Sequence, residues 1–163
     1  MAESNVKDCV PETFWEAAAR TKMGSYLTNV EMAFFLKSIN FSKCRLVGDI
    51  GAGAGKFSLL AAERNVDVVA IDIDLSGLKR LKFRNKPTNV VQADARNIPL
   101  KESILDAAFT MEVIDYITES DTVLTECGRI LKWLLAGFLV WQHGKREIEA
   151  QKLAGEKLHA FAR

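Results

Sequence analysis

From residue 45 onward, short apolar runs alternate with amphipathic runs, and this alternation limits the chain to few folds. The apolar runs have the length of buried strands, and the amphipathic runs repeat their apolar residues at helical spacing. Strands separated by such helices indicate right-handed βαβ units and a parallel sheet. The sequence therefore predicts an α/β fold. Its five predicted strands cover residues 44–50, 66–73, 88–94, 103–111 and 137–142.

Helices are predicted between the strands and at both ends of the chain. They cover residues 11–24, 28–39, 55–65, 74–85, 119–132 and 145–162. Pro11 favours the start of the first helix, and Gly24 favours its end. The helices before the first strand form an N-terminal extension, residues 1–41, while residues 42–163 form the α/β part of a single domain.

The length, net charge and residue counts of the chain exclude several classes of protein. A chain of 163 residues is long enough for one domain with a substantial core, and its formal net charge of +1 gives no broad surface for nucleic acid. The N-terminal residues lack the apolar segment of a secretory signal, and no apolar run approaches the roughly 20 residues that span a bilayer. The 3 scattered cysteines suit a reducing cytoplasm, and 2 histidines without paired cysteines make no zinc site. We expect a cytoplasmic protein without membrane, nucleic-acid or metal partners.

The sequence "VGDIGAGAGKF" places three glycines at alternate positions after the first predicted strand. The phosphate loop of nucleoside triphosphatases requires G-x-x-x-x-G-K-[ST]. Here Phe57 stands where the Ser or Thr would hold magnesium, and Ile50 stands at the first glycine. The dinucleotide fingerprint G-x-G-x-x-G has its third glycine one position later than Gly55. The loop alone therefore excludes the triphosphatase pattern and leaves the ligand open.

Acidic residues at three predicted strand ends narrow the choice of ligand. Asp49 precedes the glycines, where a carboxylate would repel a pyrophosphate and attract a cationic ligand. Asp72 ends the second strand, about 20 residues beyond the loop, where a carboxylate accepts both hydroxyls of a ribose. Asp94 ends the third strand, where an acceptor suits the exocyclic amine of adenine. Together the three acids indicate a cation that carries adenosine.

Five segments in this order resemble the motifs of class I S-adenosylmethionine-dependent methyltransferases of the small-molecule type. They are "LVGDIGAGAG", "VVAIDID", "QADARNIPL", "LDAAFTMEVIDYI" and "VLTECGRILK", and the resemblance spans about residues 42–142, most of the chain. The resemblance implies a Rossmann-like, doubly wound and mainly parallel five-stranded sheet with helices on both faces. It also implies S-adenosylmethionine as cofactor and methyl transfer to a small-molecule acceptor.

The resemblance implies a role for each residue of a cofactor site. The implied cofactor-binding residues are Tyr26, Asp49, Gly51, Ala52, Gly53, Asp72, Ile73, Asp94, Ala95 and Glu112. Asp49 would face the methionine amino group, directly or through water, with Glu112 near the same end. The glycines would pack against the methionine and ribose, and Tyr26 would close over the cofactor.

The adenosine half of the implied site lies at the second and third strand ends. Asp72 would take the ribose hydroxyls, and Ile73 would pack on the adenine. Asp94 and the backbone amide of Ala95 would bind the adenine edge. No single general base is assigned, because the catalytic step requires one only if the acceptor must lose a proton. The catalytic candidates are Glu112, Asp115, Tyr116 and His143.

The chain departs from the family pattern after its fifth predicted strand. The family sheet continues with an antiparallel hairpin, whereas the residues after Gln142 have the pattern of a helix. We therefore expect a C-terminally shortened member that lacks the hairpin. The fifth strand then becomes an apolar edge, which is a pairing hazard. We expect a second copy, a partner protein or the N-terminal helices to cover it.

Two other functions remain open from the sequence. A non-catalytic, methyltransferase-like binding or regulatory subunit fits the missing hairpin, because that region often shapes the acceptor pocket. An NAD-dependent oxidoreductase fits the glycine loop in general, but Asp49 and the shifted third glycine count against it. The Asn/Asp/Ser-Pro-Pro-aromatic tetrad of nucleic-acid amino-methyltransferases is absent, since "TMEVIDY" stands at its place.

Overall fold

In the computed structural model, the described residues are 12, 14–84, 88–132 and 138–141, with the backbone alone at 15, 115 and 138–141. Their helices are α1 (Phe14–Ala19), α2 (Lys22–Ser38), α3 (Lys56–Ala62), α4 (Leu75–Phe83) and α5 (Ser120–Ile130). Their strands are β1 (Leu46–Ile50), β2 (Asp67–Asp72), β3 (Thr88–Gln92), β4 (Ala107–Met111) and β5 (Phe138–Trp141). Short 3-10 turns cover Phe41–Lys43 and Ile114–Tyr116.

The strands form one parallel sheet in the order β3-β2-β1-β4-β5. β1 pairs with β2 on one side and with β4 on the other, so the order of strands reverses next to β1. This confirms the predicted α/β fold with a parallel sheet. The predicted helix at 145–162 and the expected absence of a hairpin fall outside the described residues and stay predictions.

Helices cover both faces of the sheet because successive strand residues alternate between the faces. On one face, Val47 of β1 and Val68 of β2 pack in a cluster with residues of α2 and α3. On the other face, Ile50 and Ile71 pack with the buried stripe of α5. That stripe consists of Val123, Cys127 and Ile130. None of the described helices is both long and apolar enough to cross a membrane.

Helix α2 belongs to the main core although it precedes the sheet in the sequence. Its Phe35 is fully buried among three other phenylalanine rings. The ring centroid of Phe35 lies 5.4 Å from that of Phe41, 5.2 Å from Phe57 and 4.7 Å from Phe109. Such tilted and edge-on contacts add to the burial of the rings themselves. The predicted division at residue 41 stays a prediction, but α2 and the sheet share one core.

Gly24 does not end the first helix, as the sequence predicted, but lies inside α2. The chain breaks earlier, because the hydroxyl of Thr21 caps α2 by accepting a hydrogen bond from Gly24 N at 3.0 Å. A Cβ at Gly24 would lie 2.1 Å from the carbonyl oxygen of Ala18. The glycine is therefore needed for the close approach of α1 to α2, which the sequence pattern does not show.

The Phe35→Ala variant tests whether α2 is an integral part of the core. We expect it to lower the free energy of unfolding by about 3–5 kcal/mol, because a fully buried ring is removed. Phe83→Ala is the matched control, since Phe83 is 51% exposed and its replacement should change stability by less than about 0.5 kcal/mol. Urea denaturation measures both values. Equal losses in the two variants would contradict the packing of α2.

Candidate functional site

A cleft of about 1060 Å³ lies at the carboxyl ends of β1 to β4. In open parallel sheets, ligands bind at this edge and at the point where the strand order reverses. The cleft wall contains eight of the predicted cofactor-binding residues, namely Gly51, Ala52, Gly53, Asp72, Ile73, Asp94, Ala95 and Glu112. The parallel strands bring these residues together from four separate loops.

The three glycines of the loop have different surroundings, although all have positive φ. A Cβ at Gly51 would lie 2.0 Å from Val113 Cγ2, and one at Gly55 would lie 2.3 Å from Leu81 Cδ1. These two glycines permit close packing of the loop. At Gly53, with φ of 51°, no described atom lies within 4 Å of the Cβ position. Gly53 is thus the glycine that leaves room for a ligand.

Asp72 holds the glycine loop in place. Its two carboxylate oxygens accept backbone hydrogen bonds, one from Gly53 N and one from Asp74 N, each at 2.7 Å. A carboxylate has about four lone-pair sites, so it retains acceptor capacity toward the cleft. Gly77 of α4 supports the same loop, because a Cβ there would lie 2.7 Å from the carbonyl carbon of Gly53. No pattern in the sequence predicted this contribution of Gly77.

Asp49 lies beneath the loop and is not part of the cleft wall. It is only 2% exposed, and it accepts a hydrogen bond from Ser58 Oγ of α3 at 2.6 Å. Burial raises the pKa of Asp49 from 3.8 to about 7, and the charge of Asp72 adds to this effect while the Ser58 hydrogen bonds oppose it. A direct contact between Asp49 and a ligand therefore has no support in the geometry.

Arg96 connects two sides of the cleft. Its guanidinium lies 2.6 Å from Asp94 Oδ2 and 2.9 Å from Glu119 Oε2, which precedes α5. Hydrogen bonds from the Arg96 side chain and backbone lower the pKa of Asp94 to about 2. Asp94 thus stays ionised at all physiological pH values. Arg96 was not among the predicted site residues, although its position two residues after Asp94 was a usable signal in the sequence.

The N-terminal helices contribute to the cleft in an unexpected way. Tyr26 is 65% exposed and is not part of the cleft wall, whereas Phe14 and Glu16 of α1 are. Glu16 pairs with Arg80 at 2.6 Å and with Arg84, and these pairs fasten α1 to α4. The sequence pointed to Tyr26, between the two predicted N-terminal helices, and its role at the cofactor stays a prediction. The contribution of α1 was not predicted, because charge pairs between distant segments leave no local pattern.

Lys56, at the start of α3, lies on the cleft wall beside the glycine loop. Its Nζ is 2.7 Å from Oε2 of Glu31, a residue of α2 that is only 3% exposed. The lysine thus faces a buried carboxylate of this chain. The pair ties α2 to the beginning of α3, which keeps the loop and the N-terminal helices in one unit.

The catalytic candidates are only partly brought to the cleft. Glu112 lies on its wall with φ of 62°, a left-handed conformation that is uncommon outside glycine and that often occurs at functional sites. Tyr116 lies on the same wall and is 71% exposed. The side chain of Asp115 and the whole of His143 lie outside the described part of the chain.

The model of a protein family described as a methyltransferase domain matches residues 48–133, just over half of the chain. The chain belongs to this methyltransferase family. It is 27% identical over 88 residues to a probable S-adenosylmethionine-dependent methyltransferase of Mycobacterium tuberculosis. This alignment covers 54% of this chain and 32% of the relative. It is 33% identical over 84 residues to the demethylmenaquinone methyltransferase of Paenarthrobacter aurescens. This second alignment covers 52% of this chain and 33% of the relative.

A solved structure supports the fold of this family member. The PH0226 protein of Pyrococcus horikoshii superposes with a TM-score of 0.65 at 23% identity, over 82% of this chain and 61% of that one. This likeness concerns the fold alone. The chain spans about a quarter to about half of the length of the curated relatives that it matches.

The buried Asp49 makes stability depend on pH. Its pKa of about 7 exceeds the ordinary value of 3.8, so the folded protein binds this proton more tightly than the unfolded chain. The free energy of unfolding should therefore fall as the pH rises from about 4 to about 7, by about 1.4 kcal/mol per pH unit. The Asp49→Asn variant should lose this dependence in urea denaturation at several pH values.

The matched control for Asp49→Asn is Asp67→Asn, which changes an exposed aspartate at the start of β2. This control should keep the pH dependence of the original protein. If Asp49→Asn and the original protein show the same slope of stability against pH, the assignment of the proton to Asp49 is wrong.

Proposed function

We propose that the chain binds S-adenosylmethionine in the cleft and transfers its methyl group to a small-molecule acceptor. The observation that carries the proposal is the position of Asp72, Asp94 and the open side of Gly53 on one cleft wall, in a chain of the methyltransferase family. The relative of Mycobacterium tuberculosis, named a probable S-adenosylmethionine-dependent methyltransferase, supports the choice of cofactor.

The cleft residues fit an adenosine-bearing cation. Asp72 has acceptor capacity for ribose hydroxyls, and the ionised Asp94 accepts from the exocyclic amine of adenine beside the Ala95 amide. Ile73 is 68% exposed on the wall and offers its apolar surface to the adenine ring. The described wall carries six acidic and three basic side chains, an excess that favours a positively charged ligand.

In this proposal the chain mainly binds and orients, because the cofactor supplies the reactivity. When bound, S-adenosylmethionine supplies a methyl group on a sulfonium, and the electrons of the breaking carbon–sulfur bond remain on sulfur. Gly53 lets the loop approach the ligand, Gly51 permits the close packing of the loop against Val113, and Asp72 keeps the loop in place. We assign Asp49 a positioning role through Ser58 of α3, and Glu112 a place near the methionine end.

The general base, if the acceptor requires one, remains among Glu112, Asp115, Tyr116 and His143. Glu112 and Tyr116 are favoured by their position on the cleft wall. We also propose a cytoplasmic location, which the free thiols of Cys44 and Cys127 support.

Calorimetric titration with S-adenosylmethionine, S-adenosylhomocysteine and NAD tests the proposed cofactor. We expect micromolar binding of the two sulfur compounds and none of NAD. The Asp72→Ala variant should lower the affinity for S-adenosylhomocysteine about 10- to 100-fold, because hydrogen bonds to a charged group contribute about 1.5–3 kcal/mol. Asp67→Ala removes an aspartate from the opposite end of β2 and should bind normally. An unchanged dissociation constant in Asp72→Ala would refute the ribose role.

We further propose that a second copy of the chain pairs along β5, which lies at the edge of the described sheet. An unpaired strand edge is a template for association with another chain. Sedimentation velocity over a range of concentrations should show a dimer. A monomer at every concentration would contradict this pairing. In that case α2, which contacts β5, would be the element that covers the edge.

A further inference from the structure

We propose that the methyl acceptor is a neutral aromatic molecule, held on the cleft wall by Phe14 and Tyr116. The inference rests on the proposed function, since it names the class of acceptor for that site. Two independent observations carry it, namely the exposed aromatic surface of the cleft wall and the pairing of its charged groups.

The aromatic surface comes from two elements that are far apart in the sequence. Phe14 of α1 is 75% exposed, and Tyr116 of the turn after β4 is 71% exposed, yet both line the cleft. Neither belongs to the set of residues proposed for the cofactor. Aromatic side chains on a concave wall offer broad apolar faces on which a flat ring can stack. A wall that carries such faces suits a planar apolar molecule.

The basic side chains of the described cleft wall already have acidic partners within the chain. Lys56 pairs with the buried Glu31 at 2.7 Å, and Arg84 pairs with Glu16 of α1. Arg96 pairs with both Asp94 and Glu119. An acceptor with a carboxylate or phosphate would have to displace one of these partners, and it would also face the excess of acids on the wall.

Five of the six acidic side chains on the described wall accept hydrogen bonds or form ion pairs within the chain, and the sixth, Glu112, is proposed to lie near the methionine end of the cofactor. Asp72 accepts hydrogen bonds from backbone N–H groups, and Asp74 caps α4 by accepting from Ser76 N and Gly77 N. Glu16, Asp94 and Glu119 hold arginines. A cationic acceptor would in addition be repelled by the sulfonium beside it. The charges of the cleft thus disfavour acceptors of either sign and leave a neutral one.

Three probes with one ring system test the class of acceptor. They are 2-naphthol, 3-hydroxy-2-naphthoate, and 2-naphthylmethylamine, and each is titrated into protein saturated with S-adenosylhomocysteine. We expect 2-naphthol to bind at least about tenfold more tightly than either charged probe. Equal or tighter binding of a charged probe, or binding of none of the three, overturns the inference. Failure of S-adenosylhomocysteine itself to bind would instead refute the proposed function.

Variants locate the probe on the aromatic wall. Phe14→Ala and Tyr116→Ala should each lower the affinity for 2-naphthol about tenfold. Tyr116→Phe keeps the ring and should retain the affinity of the original protein. Phe83→Ala is the matched control, because Phe83 is also exposed but lies outside the cleft wall. All four variants should bind S-adenosylhomocysteine normally. Unchanged 2-naphthol binding in both alanine variants of the wall overturns the placement.

A fifth variant tests the role of the charge pairs. Glu16→Gln removes the acidic partner of Arg84 while it keeps the shape of the side chain. If pairing is what excludes anionic acceptors, this variant should bind 3-hydroxy-2-naphthoate at least about fivefold more tightly than the original protein. No gain in affinity for the anionic probe would overturn the charge argument.

Discussion

The hydrogen bond from Gly53 N to the carboxylate of Asp72, at 2.7 Å, is the interaction on which the rest of the cleft depends. It joins the loop after β1 to the end of β2, and it fixes the backbone of the glycine that faces open space. The neighbouring amides of Gly51 and Ala52 donate to the carbonyl of Ile71, which strengthens the same connection. One strand end thus organises the loop that a ligand must approach.

Charge pairs then attach the N-terminal helices to this centre. Lys56 forms an ion pair with the buried Glu31 of α2. Glu16 of α1 forms ion pairs with Arg80 of α4 and with Arg84, which directly follows α4. The pairs have a double consequence. They make the extension a wall of the cleft, and they occupy the cations that a charged acceptor would otherwise use. The charges of the described wall are thus largely paired within the chain, while the rings of Phe14 and Tyr116 remain exposed on it.

Much of the architecture could be predicted because it depends on local patterns. Short apolar runs become strands when both faces of a parallel sheet are buried, as for Val47 and Ile50. The acids at the ends of β2 and β3 were predicted for the cleft, and their side chains lie on its wall. The break between the two N-terminal helices was predicted after Gly24 but lies before Lys22, because its position depends on the cap at Thr21 and on a close contact with Ala18.

The sequence by itself determined the parallel α/β fold and the glycine loop, since periodicity and spacing along the chain carry these features, and the resemblance of its motifs indicated the family. Only the tertiary structure decided which way Asp49 faces, which helix reaches the cleft and which acid each cation contacts. Asp49 turns toward Ser58 because β1 residues alternate between the sheet faces, and α3 covers that face. Such choices depend on segments that are distant in the sequence and adjacent in space, and no local pattern records them.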